Sequence, residues 1–354
     1  MKQTKGILRF VLVGTGSFGP EFASYMSGVG DLVAICDPNP QARKAFQTQT
    51  GRVLPEFQNC AEMLKGVAFD AAVITSTNDT HRGATIALAR AGKHVFCEKP
   101  MANTVAECWD MVRACHSSGV KLMVGHKRRL RPPWARMIEL RSTLGPVVAI
   151  TSCLYYDARS YDHKGWWTEE SRCGGILAIA GVHTIDWMRA ICGDARSVSA
   201  VSGTRIDPRY DFTDTMHVSM EFVTGAIASL NVSLGFPMRK YRESVGIQVV
   251  CRNGGMQLNT YLDRIELMWQ RRSDASPQCE KFDDLGFDFA YRKELGDFAR
   301  WITEGSEPCL SWREGLRCVE IMEAARISAR QDGKRLQLPL YPVLEGEVEG
   351  TVPS

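Results

Sequence analysis

The 354-residue sequence has no C-x-x-C pair and no cysteine–histidine cluster at zinc spacing, although it carries 12 cysteines and 7 histidines. This pattern gives no reason to expect a metal site. The cysteines are scattered through apolar segments (Cys36, Cys97, Cys115 and Cys192 among them), as buried free thiols are, and point to a reducing, cytoplasmic compartment. Strong charge is missing too. A net charge of +3 is too mild to argue for a nucleic-acid partner. No apolar run is expected to reach the ~18 residues of a membrane span, so no membrane partner is expected. The opening "MKQTKGILRFVLVG" has the basic-then-apolar order of a short signal peptide, but Arg9 interrupts it and no small-residue cleavage site follows. Repeats and low-complexity linkers are absent. What remains is an ordinary globular composition, 44% apolar and 23% charged, in a chain too long for one core.

The first half alternates strand-like and helix-like segments. The apolar run at 7–13 (ILRFVLV) suits a strand buried on both faces, and Gly14, Gly16 and Gly19 follow it into a helix expected from Ser17 to Gly28. Further strands are expected at 32–37, 69–76, in "GKHVFCEKPM" (92–101) and at 121–126. Helices fall between them: one at 40–51 with Pro at its start and Gly at its end, one opening on Asn59 and Glu62, one at 81–92, and one on the Thr104/Glu107 capping box. This is the pattern of a doubly wound parallel α/β sheet. After about residue 146 the pattern changes. Met216, Val218, Met220 and Phe222 alternate with His217, Ser219 and Glu221, which is the period of a strand with one buried face. A mostly antiparallel α+β domain is expected there, with helices on its apolar face and at 289–305 and 313–333. The expected division is a dinucleotide-binding domain at 1–127, a second α+β domain at 128–342 whose last helices pack back on the first, and a tail at 343–354.

Gly14-x-Gly16-x-x-Gly19 lies between an expected strand and helix, and Asp37 ends the next strand 18 residues after Gly19. In that context the glycines serve a tight turn, a close backbone approach to a pyrophosphate, and helix–strand packing. Asp37 would accept hydrogen bonds from an adenosine ribose and repel a 2′-phosphate, so NAD is preferred over NADP. The alternative for Asp37 is a turn residue before Pro38. In "GKHVFCEKPM" an apolar strand delivers Glu98 and Lys99 to its carboxyl end, where ligands bind in parallel α/β sheets. Lys99 there can polarise a substrate oxygen and relay a proton, with Glu98 orienting it or bonding cofactor hydroxyls and Pro100, for which a cis bond is an option, fixing the turn. A plain surface pair is the alternative. His81 follows "TSTND", where Asn78 or Asp79 would cap a helix, and capping and packing suit His81 better than catalysis. The basic cluster "GHKRRLRPP" is either a solvated loop or a loop that puts Lys127 or Arg128 beside the ligand.

Together, "GTGSFG", Asp37, "TSTNDTH", "AGKHVFCEKPM", "VGHKRRL" and "GGILAIAGVHTIDWMRAICG" resemble the family of glucose-fructose oxidoreductase, inositol 2-dehydrogenase and the rhizopine-catabolism oxidoreductase. The likeness runs over nearly the whole chain. It implies a Rossmann domain for NAD or NADP, an open-faced α+β substrate domain, and hydride transfer to or from a sugar or cyclitol, with Lys99 catalytic. It places Ser17, Phe18, Ser76, Thr77, Asn78, His81, Glu98 and Lys99 on the cofactor with the glycines and Asp37. It makes His183 the second acid/base group. Relatives often have aspartate four residues before that histidine, where this chain has Ile179, so either His183 lacks its local carboxylate or another residue, such as Asp186 three positions on, supplies one; a structural core histidine is the alternative to the catalytic role. Tyr155, Trp166 and Trp167 are candidates to line the substrate, with Lys127 and Arg128, against core packing or dimer contact for the aromatics. A homo-oligomer is expected, through the polar face of the second sheet. Two other functions stay open: a glycosidase using transiently reduced NAD, and a dinucleotide-binding regulator without turnover.

Overall fold

The computed structural model describes residues 7–157, 165–203, 205–236, 244–261, 264–284 and 286–341, so the expected tail lies outside the described residues. The chain forms two compact units. The first comprises residues up to His126 together with Asp288–Leu316. Among the described residues, the second comprises Lys127–Phe287 and 317–341.

The first unit is built on β1 (Arg9–Val13), α1 (Gly19–Tyr25), β2 (Asp31–Cys36), α2 (Pro40–Thr50), β3 (Glu56–Phe57), α3 (Cys60–Gly66), β4 (Ala71–Ile74), α4 (His81–Arg90), β5 (His94–Glu98), α5 (Val105–Ser117) and β6 (Leu122–Gly125). Six parallel strands stand in the order β3-β2-β1-β4-β5-β6, a Rossmann-like sheet. Strands buried on both faces must be apolar throughout, and the core of this sheet is: Phe10, Val11, Leu12, Ala71, Val73, Val95 and Phe96 are all at 0% exposure. The first strand is shorter than the apolar run suggested. Ile7 is exposed, and the Arg9 amide leaves the ladder to bond the Asp70 carboxylate at 2.8 Å. The first helix is shorter as well, beginning at Gly19. The capping signals are realised as read: Asn59 Oδ1 accepts the Glu62 amide at 2.9 Å, and Thr104 and Glu107 form a reciprocal capping box.

The second unit contains α6 (Pro132–Leu144), β7 (Val147–Tyr155), α7 (Glu170–Cys173), α8 (Val182–Cys192), β8 (Ala195–Ser202), β9 (Thr215–Phe222), β10 (Ile227–Ser233), β11 (Ser244–Cys251), β12 (Gly254–Tyr261), β13 (Arg264–Arg271) and β14 (Gln278–Phe282). Helix α9 (Phe287–Glu304) carries the chain into the first unit, where Phe298 packs against Phe10 and Phe96. Helix α10 (Trp312–Arg330) returns it to the second unit, and β15 (Leu336–Gln337) closes the sheet. Nine strands stand in the order β14-β13-β12-β11-β7-β10-β9-β8-β15; β7 and β10 are parallel and the other neighbours antiparallel.

In β9 the alternation is observed: Met216, Val218, Met220 and Phe222 are buried, and Ser219 is exposed. The helices cover that apolar face. A Cβ on Gly181, just ahead of α8, would lie 3.5 Å from Val232 of β10. One expectation is corrected. Among the described residues, Glu170–Cys192 is long and apolar enough to cross a membrane by length and composition. Yet 89% of its apolar window is buried inside the protein, as a core helix is.

Candidate functional site

In the first sheet the strand order reverses between β1 and β4, and the turns leaving the strands' carboxyl ends gather there. Gly14 makes the tightest approach. Its φ is +99°, and a Cβ on it would lie 2.4 Å from the Ser76 backbone nitrogen, so no larger residue fits. That closeness lets the two turns bond directly: Thr75 N–H donates to Val13 O at 2.8 Å and Thr75 Oγ1 to Gly14 O at 2.7 Å. A Cβ on Gly19 would meet Gly14 O at 3.1 Å, a packing constraint. Gly16 differs. A Cβ on it would meet nothing within 4 Å, so the chain's own packing does not require glycine there, whereas a bound pyrophosphate would. Gly16, Ser17 and Phe18 are exposed around this opening.

Asp37 is tied into the same turn. Its Oδ2 accepts the Thr15 amide and its Oδ1 the Asn39 amide, each at 2.8 Å. Arg43 donates to the Asp37 carbonyl oxygen at 2.6 Å and pairs with Glu56 at 3.4 Å. Ser76 and Thr77 are half-buried and Asn78 is buried; Asn78–Thr80 form a 3-10 turn. The N-cap position of α4 falls on Thr80 rather than on Asn78 or Asp79, which corrects that expectation. His81 instead joins two turns. Its Nε2 lies 3.1 Å from Ser76 O and its Nδ1 2.9 Å from Pro100 O, and burial holds its pKa below the ordinary histidine value against the pull of those carbonyls. It thereby anchors the turn that presents Lys99. Glu98 Oε2 accepts the Lys99 amide at 2.9 Å, and the Lys99–Pro100 bond is cis. Glu98 and Lys99 are half-buried.

The second unit holds the other candidates. His183 lies in α8, immediately after a π-helical turn at Leu177–Gly181 that contains the half-buried Ile179. Such turns recur at functional sites. The basic run is not a solvated loop. Lys127 is 7% exposed, and Arg128 and Arg131 are 1%. Arg128 Nη1 donates to Thr184 Oγ1 at 2.9 Å, and Arg129 forks onto the Asp186 carboxylate at 2.8 and 2.5 Å. Asp186 is thus engaged by Arg129. Both residues tied by the arginines follow His183 on α8, by one and three positions. Arg131 stacks on Trp134 and Phe287, at 4.2 and 3.9 Å from their ring centres.

Trp166 and Trp167 pack against each other at 4.7 Å and stay half-exposed. Tyr155 follows the buried Leu154 in β7 and so projects to the opposite face of the sheet from the one α8 covers; the structure does not bring it to His183. Its hydroxyl, bonded to Cys153 and partly buried, has its pKa pushed up to about 12. Sequence reasoning missed Thr184 and the Arg129–Asp186 pair. The three-residue spacing of His183 and Asp186 on one helix was the visible signal; nothing local marked Arg129 as its partner.

Comparison with known proteins gives this arrangement its family. Residues 8–126 match the family model described as the oxidoreductase family, NAD-binding Rossmann fold, and residues 135–257 match the GFO/IDH/MocA C-terminal domain. The chain belongs to the GFO/IDH/MocA oxidoreductase family. It is 27% identical over 337 residues to inositol 2-dehydrogenase of Acidothermus cellulolyticus, covering 92% of this chain and 93% of that one. Among solved structures it is similar to the WlbA dehydrogenase from Bordetella pertussis in complex with NADH and UDP-GlcNAcA, with a TM-score of 0.81 and 25% identity over 95% of this chain and all of that one (100%). It is equally similar to aldose-aldose oxidoreductase from Caulobacter crescentus, with a TM-score of 0.81 and 25% identity over 94% of this chain and 100% of that one. As a GFO/IDH/MocA protein the chain is an NAD(P)-dependent oxidoreductase, and its first unit is the nucleotide-binding Rossmann domain.

The clamp on α8 makes a sharp prediction. Arg129→Leu strands the Asp186 carboxylate, which is at 0% exposure, and is expected to cost about 3–5 kcal/mol of stability. Arg129→Leu with Asp186→Leu is expected to cost clearly less, because no uncompensated charge remains. Urea denaturation of the two variants checks this; equal losses would mean the pair does not act as a unit.

Proposed function

We propose that this chain is an NAD-preferring dehydrogenase that transfers hydride between the nicotinamide and a secondary alcohol or ketone of a sugar, cyclitol or related polyol. The observation that carries the reading is the convergence at one sheet edge of an open glycine turn, a carboxylate suited to a ribose, and a lysine at the end of a buried strand. The names of the relatives support the substrate class, since they act on inositol and aldoses. In this reading Gly14, Gly16, Ser17, Phe18 and Gly19 carry the pyrophosphate, Asp37 the adenosine ribose, and Ser76, Thr77, Asn78 and Glu98 the rest of the dinucleotide.

The bound nicotinamide supplies the hydride acceptor or donor. Lys99 Nζ donates a hydrogen bond to the substrate oxygen and stabilises the charge that develops there. The imidazole of His183 takes the hydroxyl proton in oxidation and returns it in reduction. Lys127, Arg128, Trp166 and Trp167 are assigned to substrate orientation. A spectrophotometric scan at the NADH band over polyols, sugars and glycosides tests the reading. Net NADH formation with a polyol or sugar supports it. Sugar release without NADH would make the chain a glycosidase, and nucleotide binding with neither would leave a regulator.

Lys99→Ala is expected to lower kcat about 10²–10³-fold, or ~2.7–4 kcal/mol, by analogy with removal of one oxyanion donor. Affinity for NAD should change little in a calorimetric titration. A variant that kept most of its kcat would remove Lys99 from the chemistry.

Cofactor choice gives a second test. Arg43 is engaged by the Asp37 carbonyl and Glu56 and is not poised to receive a 2′-phosphate, while the Asp37 carboxylate repels one. The native chain is expected to bind NAD more tightly than NADP, and Asp37→Ala to narrow or reverse the difference. Tight NADP binding that Asp37→Ala leaves unchanged would contradict the assignment.

A further inference from the structure

The His81 ring sits between two carbonyls. Its Nδ1 lies 2.9 Å from Pro100 O and its Nε2 3.1 Å from Ser76 O. Both partners are acceptors, and a neutral imidazole has one N–H to give. The ring is 1% exposed, so water does not make up the difference, and burial keeps it in the neutral form at pH 7. One contact is therefore a hydrogen bond, and the other sets a ring lone pair against a carbonyl oxygen. The shorter contact, to Pro100, is the one that suits a donated proton. The two carbonyls also differ in what else holds them. The Ser76 side is braced without the ring. Ser76 Oγ and Thr80 Oγ1 hydrogen-bond at 2.7 Å, the Thr80 amide and hydroxyl donate to Thr77 O at 2.9 and 2.7 Å, and Thr75 is tied to Gly14. Pro100 is buried beyond the end of another strand, 19 residues further on, and His81 reaches it from the first position of α4.

We infer that His81 is a positioning residue for Lys99: its Nδ1–H donates to Pro100 O and fixes the turn that presents the lysine, while Nε2 carries no proton and adds nothing to dinucleotide binding. In this role His81 touches neither substrate nor cofactor. Its effect passes through one backbone oxygen, on the residue next to Lys99. Loss of the bond leaves that buried oxygen without its donor and lets the turn shift, and an error of about 1 Å in the placing of a reacting group costs up to about 10²-fold in rate. The groups assigned above to the dinucleotide are braced independently of the ring, which separates His81 from them. The consequence for rate rests on the role proposed for Lys99; the position of the proton and the tie to Pro100 do not.

Three variants of the full chain separate the two nitrogens. The amide nitrogen of asparagine takes the place of Nδ1 and that of glutamine the place of Nε2. His81→Asn thus keeps a donor toward Pro100 O, His81→Gln keeps one toward Ser76 O, and His81→Ala keeps neither. Hydrogen exchange of the peptide spanning residues 95–103, read by mass spectrometry, needs no substrate. It is expected to be faster than native in His81→Ala and His81→Gln and to return close to native in His81→Asn. With the polyol or sugar that the scan above finds to be turned over, kcat is expected to fall about 10- to 100-fold in His81→Ala and His81→Gln and to be largely restored in His81→Asn. The Kd for NAD, by calorimetry, is expected to move much less than kcat in all three. In the native chain, proton–nitrogen NMR of the histidine rings is expected to show His81 protonated at Nδ1 alone, and this measurement stands even where a substitution prevents folding. A ring protonated at Nε2, or at both nitrogens, would overturn the proposal. So would equal effects of His81→Asn and His81→Gln, which would make His81 a packing residue, or a loss of NAD affinity in step with kcat, which would place it at the cofactor. Absence of turnover with every compound in the scan would overturn the reading of function, while hydrogen exchange and the NMR measurement would still decide the tie.

Discussion

The missing side chain at Gly14 is the constraint on which the candidate cofactor site depends. Because no Cβ stands there, the turn after β1 and the turn after β4 approach within bonding distance, at the place where the strand order reverses. From that contact the remaining parts are linked in series. Thr75 bonds back to Gly14, Asp37 holds Thr15, and His81 joins Ser76 to Pro100 beside Lys99. Four turns from four different strands thus share one hydrogen-bonded frame. A site held this way needs little rearrangement to receive a ligand, which is the form of preorganisation that favours charge stabilisation in a reaction.

The second unit meets the same need with a costlier device. It buries arginines, and each burial is offset by a specific acceptor or ring: Thr184 for Arg128, Asp186 for Arg129, Trp134 and Phe287 for Arg131. The first two acceptors follow His183 on α8, by one and three positions. A helix pinned there by two arginines, directly after a π-helical turn, has little freedom to rotate. That gives a physical reason for the basic run to be where it is, independent of any contact it makes with substrate.

Much of this was legible in the sequence because the relevant signals are local. The glycine spacing, the T-x-x-E capping box and the period-two alternation of 216–222 each depend on neighbours a few residues away, and each appears as read. What could not be read depends on distant partners. Charge runs usually face water, so "KRRLR" suggested a loop as readily as a site; its acceptors stand 56 and 57 residues further on. Strands β11 to β14 went unread because their outward residues include Gly255 and Met268, which blur the alternation, and β3 and β15 are two residues each, too short to leave a pattern. Tyr155 looked like a substrate residue by its closeness in sequence to His183, yet strand alternation turns it to the other side of the sheet.

The central claim is that hydride passes directly between a substrate carbon and the nicotinamide. Mass spectrometry of the NADH formed from a polyol deuterated at the reacting carbon tests it most directly, once the substrate scan has found a turnover partner. The account predicts NADH that carries the deuterium, at the nicotinamide ring, with no label lost to water. NADH free of deuterium, or turnover of the labelled substrate with no reduced nicotinamide at any time, would contradict it.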